Sequence, residues 1–496
     1  MPLESGMTMT RDGNLPVEDD AMDSPAGEAN FDMTGSEVGA ASAEARHDAG
    51  GGDSRRPRKG HRKLKIALLT VLVAVVLGGA ILAIAVHRRI EEERVGTIAM
   101  SAPSTPHELE DSTGRAGAFT ARVDFTSMAA TEGQHVSTEI SWDDAWFFQD
   151  PTVYNHDLAT TCSVLSAVAN AESSYYQAGS DAPAYMENAF AQLGFDDIST
   201  ASYQYRSEIF DEVVDFITGT DDVVAYSIAS KRIAGPDGSE KTLYVVSVRG
   251  SYGAEWLSDF NMGDAADYEM DAIDHQGFME AANEIVEQLA DRITEDAQDR
   301  GTDDVALLFC GHSRGAATAN LAASYADDMT EGLRPLAPLG SIYCYTFATP
   351  EVTEFTNVTD PIYDNIFNIM NPSDMVPRMP LASWGYSRYG NDLWLPGYGD
   401  DGFDEMYEEM AVAFEENVGA PCPYVPEDRE NVDRLIDDLS REVPTEDDLV
   451  SVGTFATLVH DLTSGVDLMQ ILYGHYPGVY IAWMQTIDGG DLRQTQ

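Results

Sequence analysis

Gly311-His312-Ser313-Arg314-Gly315 sets one serine in a Gly-x-Ser-x-Gly frame. A serine hydroxyl is a weak nucleophile until a base accepts its proton. The base in turn needs a carboxylate to hold its tautomer and stabilise its charge. What flanks the frame makes it informative. Val305-Ala306-Leu307-Leu308-Phe309-Cys310 is an apolar run that reads as a buried parallel strand, and small helix-forming residues follow from Ala316. Gly-x-Ser-x-Gly between a strand and a helix is a nucleophile elbow, a turn so tight that its flanking positions carry little or no side chain. It lifts the serine to the carboxyl end of the strand, under the positive end of the next helix, where a developing oxyanion is stabilised.

The partners of Ser313 should follow it in the order acid then base, each at the carboxyl end of a later strand, as in α/β-hydrolases. Asp374 lies in the Pro-flanked turn Asn371-Pro372-Ser373-Asp374-Met375-Val376-Pro377, just past an alternating strand. Asp364 is its nearest rival, but it precedes that strand and belongs at the wrong end. Of ten histidines, His47, His61, His87, His107 and His135 fall in or near amino-terminal segments outside the folded region. His156 and His275 precede the elbow, and His312 lies inside it, expected to face away from its neighbour. His460 sits in a helical pattern and reads as an ordinary core or surface histidine. His475, in the loop Tyr473-Gly474-His475-Tyr476-Pro477-Gly478 ahead of a closing helix at Val479 to Ile487, is the expected base.

The elements that must position these groups are legible in outline. An aromatic cluster at Trp146-Phe147-Phe148 and a helical pattern from Leu158 to Tyr176 begin the folded region, which starts between Ala118 and Trp142. Leu243 to Val248 is a second near-continuous apolar run, Phe278 to Ile293 has helical spacing, and Ser341 to Ala348 and Ile366 to Met370 supply further strands. Strands alternating with helices predict a mostly parallel, doubly wound sheet. From about 381 to 459 the chain is very acidic and mostly helix-like, an insertion between the expected acid and base. Of the four cysteines, Cys162, Cys310, Cys344 and Cys422, none has C-x-x-C or zinc spacing. Cys310 and Cys344 sit in apolar runs as small hydrophobes.

These blocks together resemble the class 3 (fungal-lipase-like) lipase family of the α/β-hydrolase superfamily. The resemblance runs from about Ala118 to Met484. It is carried by Arg249-Gly250-Ser251 ending a strand, by Glu255-Trp256-Leu257-Ser258-Asp259, and by His275 with Gly277-Phe278. The elbow, Phe347-Ala348-Thr349-Pro350, Asp374-Met375-Val376-Pro377, and His475 with Tyr480 complete it in the same order. It implies that Ser251 donates to the oxyanion beside the backbone N–H of Arg314, and that Trp256 lies in a lid over the serine. The chain departs from the family's pattern at Arg314, where a leucine is more usual. A cation in the first turn of a helix opposes the macrodipole. It is expected to pair with an acid of the lid or insertion, to meet a carboxylate or phosphate on the substrate, or else to remain solvated. The long acidic insertion is a second departure, expected to narrow the substrate range.

Ahead of the folded region the composition changes three times. Residues 1 to 53 lack apolar periodicity and read as disordered. Seven Lys/Arg then precede Ile66 to Val86, which carries no charge. At about 1.5 Å per residue that run matches a hydrocarbon core of about 30 Å, and the basic flank places the amino terminus in the cytoplasm. The expected organisation is therefore a cytoplasmic tail over 1–63, acidic then basic, a transmembrane helix over 64–87, and a tether over 88–117. A lipase-like α/β-hydrolase domain over 118–496 lies outside the cell. The net charge is −56, from 85 acidic and 29 basic residues. A chain so acidic repels nucleic acid, which is excluded as a partner. The sequence thus predicts a membrane-anchored serine lipase or esterase for acylglycerol-type carboxylic esters, with no metal or organic cofactor. The alternatives within chemistry are a phospholipase, a carboxylesterase of narrow range or peptidase-like acyl transfer. The rival outside it is a catalytically silent hydrolase-fold binding module. A cytoplasmic partner for residues 1 to 53 is compatible with either.

Overall fold

Alternation along the central strands explains the layering. Leu308 and Cys310 face one buried cluster while Leu307 and Phe309 face another, and Leu243 and Val245 are likewise opposed to Tyr244 and Val246. Successive side chains on a strand point to opposite faces, so a run that is apolar throughout demands cover on both sides. The computed structural model describes residues 115–127, 134–176, 181–205, 224–250, 276–300, 304–330, 332, 334–445 and 468–494. The tail, the predicted transmembrane span, Ser251, Trp256, His275 and His460 lie outside these residues. Among the described residues no helix is long and apolar enough to cross a membrane.

The chain opens with a hairpin, β1 (Ala118–Ser127) antiparallel to β2 (Gln134–Asp143), which stands apart from the main sheet. Helices α1 (His156–Tyr176) and α2 (Tyr185–Gln192) follow, then β3 (Asp197–Ser199), β4 (Tyr226–Ala234) and β5 (Glu240–Val248). Next come α3 (Gln276–Arg300), β6 (Val305–His312), α4 (Arg314–Met329), β7 (Ile342–Phe347), β8 (Ile366–Met370) and β9 (Asn391–Trp394). The chain closes with α5 (Phe403–Val418), α6 (Asp428–Glu442), α7 (Leu468–Leu472), α8 (Pro477–Thr486) and β10 (Arg493–Gln494). The eight strands of the main sheet run in the order β10-β9-β8-β7-β6-β5-β4-β3. β5 through β9 are parallel, and the two edges are antiparallel. The hairpin, α1, α5 and α8 cover one face, and α3 with α4 cover the other.

The α/β reading and the mostly parallel sheet stand. The stretch over 381–459 differs from expectation in one respect: it contributes β9, a parallel strand of the sheet itself, before its helices begin. Four residues were too few to stand out against the surrounding acidity. All four cysteines are free thiols, and Cys162, Cys310 and Cys344 are fully buried.

A buried polar network holds α4 against the strands that end beside it. Asn320 Nδ2 donates to Asn368 Oδ1 and to the Tyr389 carbonyl, both at 2.9 Å, and Thr346 Oγ1 donates to Asn368 Oδ1 at 2.7 Å. Farther along α4, Asp327 Oδ1 accepts from Asn365 Nδ2 at 3.0 Å, while its Oδ2 is buried without a hydrogen-bond partner. Burial pushes this carboxyl up to about 8, against the pull of the Asn365 bond. Between the ordinary value of 3.8 and about 8 the native state holds a proton that the unfolded chain has released. Stability from this group is therefore complete at low pH and lost as pH rises through that window. Asp327→Asn should remove this slope. In denaturant melts from pH 5 to pH 8 the variant should gain on the parent by more than about 1 kcal/mol. Parallel curves for the two proteins would show that Asp327 is ionised in the fold.

Candidate active site

The elbow is built by backbone crowding. Ser313 joins β6 to α4 with φ 60° and ψ −131°, in a region that side-chain-bearing residues rarely occupy. A Cβ on Gly311 would strike the Gly315 carbonyl, one on Gly315 would strike the Val248 carbonyl at the end of β5, and one on Gly250 would strike the His312 carbonyl. These glycines let three backbone segments close around the serine. The Ser313 N–H donates to the Phe347 carbonyl at 2.9 Å, tying the elbow to the end of β7.

Asp374 and His475 both reach this point. His475 Nε2 is 2.9 Å from Ser313 Oγ, and Nδ1 is 2.7 Å from Asp374 Oδ2. Both bonds form together when the imidazole carries its proton on Nδ1, leaving Nε2 free to accept the serine proton. Asp374 is 1% exposed. Its Oδ1 accepts from the Val376 N–H at 2.9 Å, and its Oδ2 accepts from the Tyr480 hydroxyl at 2.9 Å. Burial, together with the Asp374 charge, pushes the Tyr480 phenol well above its usual value, so it remains a donor. The arrangement satisfies the acid, fixes the base and presents one hydroxyl, which is the set of parts needed for nucleophilic attack on a carbonyl.

Residues not singled out from sequence hold these loops together. The Asn371 N–H donates to Tyr480 Oη at 3.0 Å, and Asn371 Nδ2 donates to the Gly474 carbonyl at 2.8 Å. One asparagine thus links the loop bearing the acid to the loop bearing the base. Tyr424, from the acidic stretch, donates to Ser373 Oγ at 3.0 Å and approaches Asn371 Oδ1 at 3.3 Å. A lone asparagine or tyrosine gives no spacing signal. A polar residue at the end of an apolar strand, as Asn371 is after β8, was the available clue.

The elbow's own side chains are both buried. The His312 ring lies 4.7 Å from that of His475 at 45° and 5.4 Å from that of Tyr480 at 77°. Burial first, then the neighbouring His475, hold it well below its ordinary pKa, so a neutral ring backs the base. Arg314 is 4% exposed, so it is not a solvated arginine. It is the first residue of α4, which puts its backbone N–H in the helix's first turn beside Ser313. Ser251 lies outside the described residues, but the chain leading to it is held. The Gly250 N–H donates to Asn170 Oδ1 at 2.7 Å, and Arg249 Nη1 donates to Ser173 Oγ at 2.9 Å. Among the described residues no group of three or more His, Cys, Asp or Glu forms a metal-ligand set.

Residues 245–384, from β5 to the segment beyond Asp374, match the family model for lipase (class 3). A secreted mono- and diacylglycerol lipase of Fusarium solani is 28% identical over 190 residues, covering 37% of this chain and 51% of that protein. A lipase of Rhizomucor miehei is 27% identical over 160 residues, 32% of this chain and 42% of that one. Over residues 245–384 the chain is thus similar to the class 3 lipase family. It spans about half the length of the curated relatives it matches. Among solved structures, the Rhizomucor miehei triacylglyceride lipase aligns at 21% identity with a TM-score of 0.28, over 35% of this chain and 62% of that one. His475 and Tyr480 lie beyond the segment matched by the class 3 model, so their place in the site rests on their hydrogen bonds to Ser313 and Asp374.

The network ranks its members. Labelling of Ser313 by a fluorophosphonate reads hydroxyl activation without needing a substrate. Asp374→Asn, which favours the wrong imidazole tautomer, should slow labelling by about 10⁴-fold. Tyr480→Phe removes one hydrogen bond to a charged group and should slow it by about tenfold. Equal rates in parent and Asp374→Asn would mean the three groups do not act as a unit.

Proposed function

We propose that this chain is a serine hydrolase of carboxylic esters, of the acylglycerol type, working through an acyl-enzyme. The observation that carries the reading is the continuous hydrogen-bonded series Asp374, His475, Ser313, with distances of 2.7 and 2.9 Å. Ser313 Oγ attacks the ester carbonyl as His475 Nε2 takes its proton, and buried Asp374 stabilises the imidazolium. The oxyanion faces the Arg314 backbone N–H, and the likeness to class 3 lipases assigns Ser251 as a second donor. Collapse expels the alcohol, which takes the proton back from His475. Water then attacks the acyl-enzyme by the same route and releases the acid. Each donor to the oxyanion is worth about 3–4 kcal/mol of barrier.

The family relationship supports an ester substrate, and a fully assembled triad speaks against a silent binding module. The uncharged run Ile66 to Val86 behind seven basic residues supports a single amino-terminal anchor with the domain outside the cell.

Hydrolysis of an acyl-ester series from acetyl to oleoyl by the full chain tests the chemistry. Turnover should fall by at least about 10⁴-fold in Ser313→Ala. A maximum at long acyl chains would indicate a lipase, one at short chains a carboxylesterase, and preference for a phosphorylated head group a phospholipase. No hydrolysis of any ester by a folded chain would turn the reading to the binding module.

Protease added to intact cells tests the anchor. It should remove the domain while sparing a tag placed ahead of residue 1. Loss of the tag with the domain protected would reverse the orientation.

A further inference from the structure

Basic residues are scarce in this chain, 29 against 85 acids, yet four arginines line one cavity. It has a volume of about 480 Å³, within the roughly 300–1,000 Å³ usual for small-molecule sites. It lies at the carboxyl ends of β8 and β9, between the loop that carries Asp374 and helix α6. Pro372 and Pro377, on either side of Asp374, form part of its wall. Neither Ser313 nor His475 does. The charged side chains on the wall are Arg378, Arg388, Arg429 and Arg493 against Glu351 and Asp400. A second cavity, of about 560 Å³ beside β3 and α3, shows the opposite balance, with Arg292 facing Asp197, Glu284, Asp291, Glu295 and Asp296.

The four arginines have different parts. Arg388 is committed to the fold: it donates to the Thr349 and Pro377 carbonyls and pairs with Glu351 at 2.8 Å and Asp392 at 3.1 Å. The other three share two carboxylates. Arg378 holds Asp433 at 2.6 Å and Arg493 holds Asp400 at 2.5 Å. Arg429 is left with long contacts, 3.5 Å to Asp400 and 3.9 Å to Asp433, and one bond to the Tyr398 carbonyl at 3.0 Å. With Arg388 and its two acids included, four guanidinium groups meet four carboxylates, and Arg429 is the one with no carboxylate oxygen nearer than 3.5 Å. Arg378 Nε is also buried without a hydrogen-bond partner. Apart from Ser383 and Ser440 the rest of the wall is apolar, with Leu381, Leu395 and Ile436 beside Trp394, whose ring lies 5.6 Å beneath the Arg378 guanidinium.

We propose that this cavity binds a single-chain amphiphile with an anionic head, carboxylate or phosphate. The head sits at Arg429 and Arg378, and the tail lies against Leu381, Leu395 and Ile436. Planar guanidinium groups match both head groups, and the apolar wall accounts for a tail that a free anion lacks. The site goes beyond the proposed hydrolysis and does not need it, although the fatty acid such a reaction releases belongs to the ligand class. Occupancy would also be felt at the acid, because Arg378 Nη2 donates to the Pro372 carbonyl at 3.2 Å in the loop that carries Asp374.

Calorimetric titration of the full Ser313→Ala chain in lipid nanodiscs, against empty nanodiscs, tests this. Decanoate and decyl phosphate should bind, and decanol, decyltrimethylammonium and inorganic phosphate should each bind at least about tenfold more weakly. The tighter of the two anionic amphiphiles identifies the head group. Arg429→Ala, which removes the under-coordinated cation, and Ile436→Trp, which fills the apolar end, should each raise Kd about tenfold. Thermal melts serve as the check on folding, and Arg429→Lys, which keeps the charge, should lose less affinity than the alanine variant. Decanol binding as tightly as decanoate, inorganic phosphate binding as tightly as decyl phosphate, or affinity unchanged in both Arg429→Ala and Ile436→Trp would overturn the proposal. A chain that binds decanoate through Arg429 but cleaves no ester when Ser313 is present would refute the hydrolytic reading and leave this one standing.

Discussion

Ser313 is held at a positive φ by the close approach of three backbones, and the rest of the site is arranged around that compression. Such a conformation costs of order 1–3 kcal/mol for a residue with a side chain, and it persists only where the surroundings over-determine it. Here they do so through contact: Gly311, Gly315 and Gly250 each give up a Cβ so that the elbow, the start of α4 and the end of β5 can touch. The hydroxyl is aimed by a shape that the parallel strands impose and the glycines permit. Ala348, at the end of the neighbouring strand β7, also has positive φ, and its N–H donates to the Ile369 carbonyl at 3.0 Å. Strain is thus concentrated where adjacent strands end, on the edge of the sheet where α/β folds place their chemistry.

The second requirement is electrostatic. A chain with a net charge of −56 must keep one carboxylate ionised, buried and aimed at an imidazole. Asp374 accepts three hydrogen bonds, from Val376, Tyr480 and His475, so its buried oxygens are all partnered. The imidazole is backed by His312, which burial keeps neutral, so no second cation competes for Asp374. Burial thus leaves the histidine that has no carboxylate partner neutral, while the buried acid has its oxygens filled by donors.

How much of this was legible in the sequence depended on whether a residue's signal was local. The elbow was, because the strand, the glycines and the small residues of α4 are contiguous. Asp374 and His475 followed from order and from loop position, since a Pro-flanked turn and a Tyr-Gly-His-Tyr-Pro-Gly loop both announce chain reversals. Asn371, Tyr424 and Tyr480 as ligands of the acid loop were not legible. Each bonds to a segment far away in sequence, and a single polar residue has no period. The contact of His312 with His475 was not legible for the same reason, because it spans more than 160 residues. Strand β9 was hidden differently: a parallel strand paired on both sides can be short, and Asn391–Trp394 borrows its stability from β8.

The acidic stretch between Asp374 and His475 gains a clearer physical meaning from these contacts. Its outward faces are carboxylate-rich, as α6 shows with Asp437 and Asp438, but its inward side chains are selected for the site's support. Tyr424 reaches Ser373 and Asn371, Val432, Leu435 and Leu439 pack with Met375 and Val376 beside the acid, and Arg429 faces the arginine-lined cavity. A segment serving only as a solvated screen would not place a tyrosine hydroxyl within hydrogen-bond reach of the acid loop. Nor would it bury leucines against the residues that follow Asp374. The acid loop is therefore clamped from two sides, by α8 through Tyr480 and by the acidic stretch through Tyr424 and α6. The length of chain between acid and base is what allows a second wall to be built there.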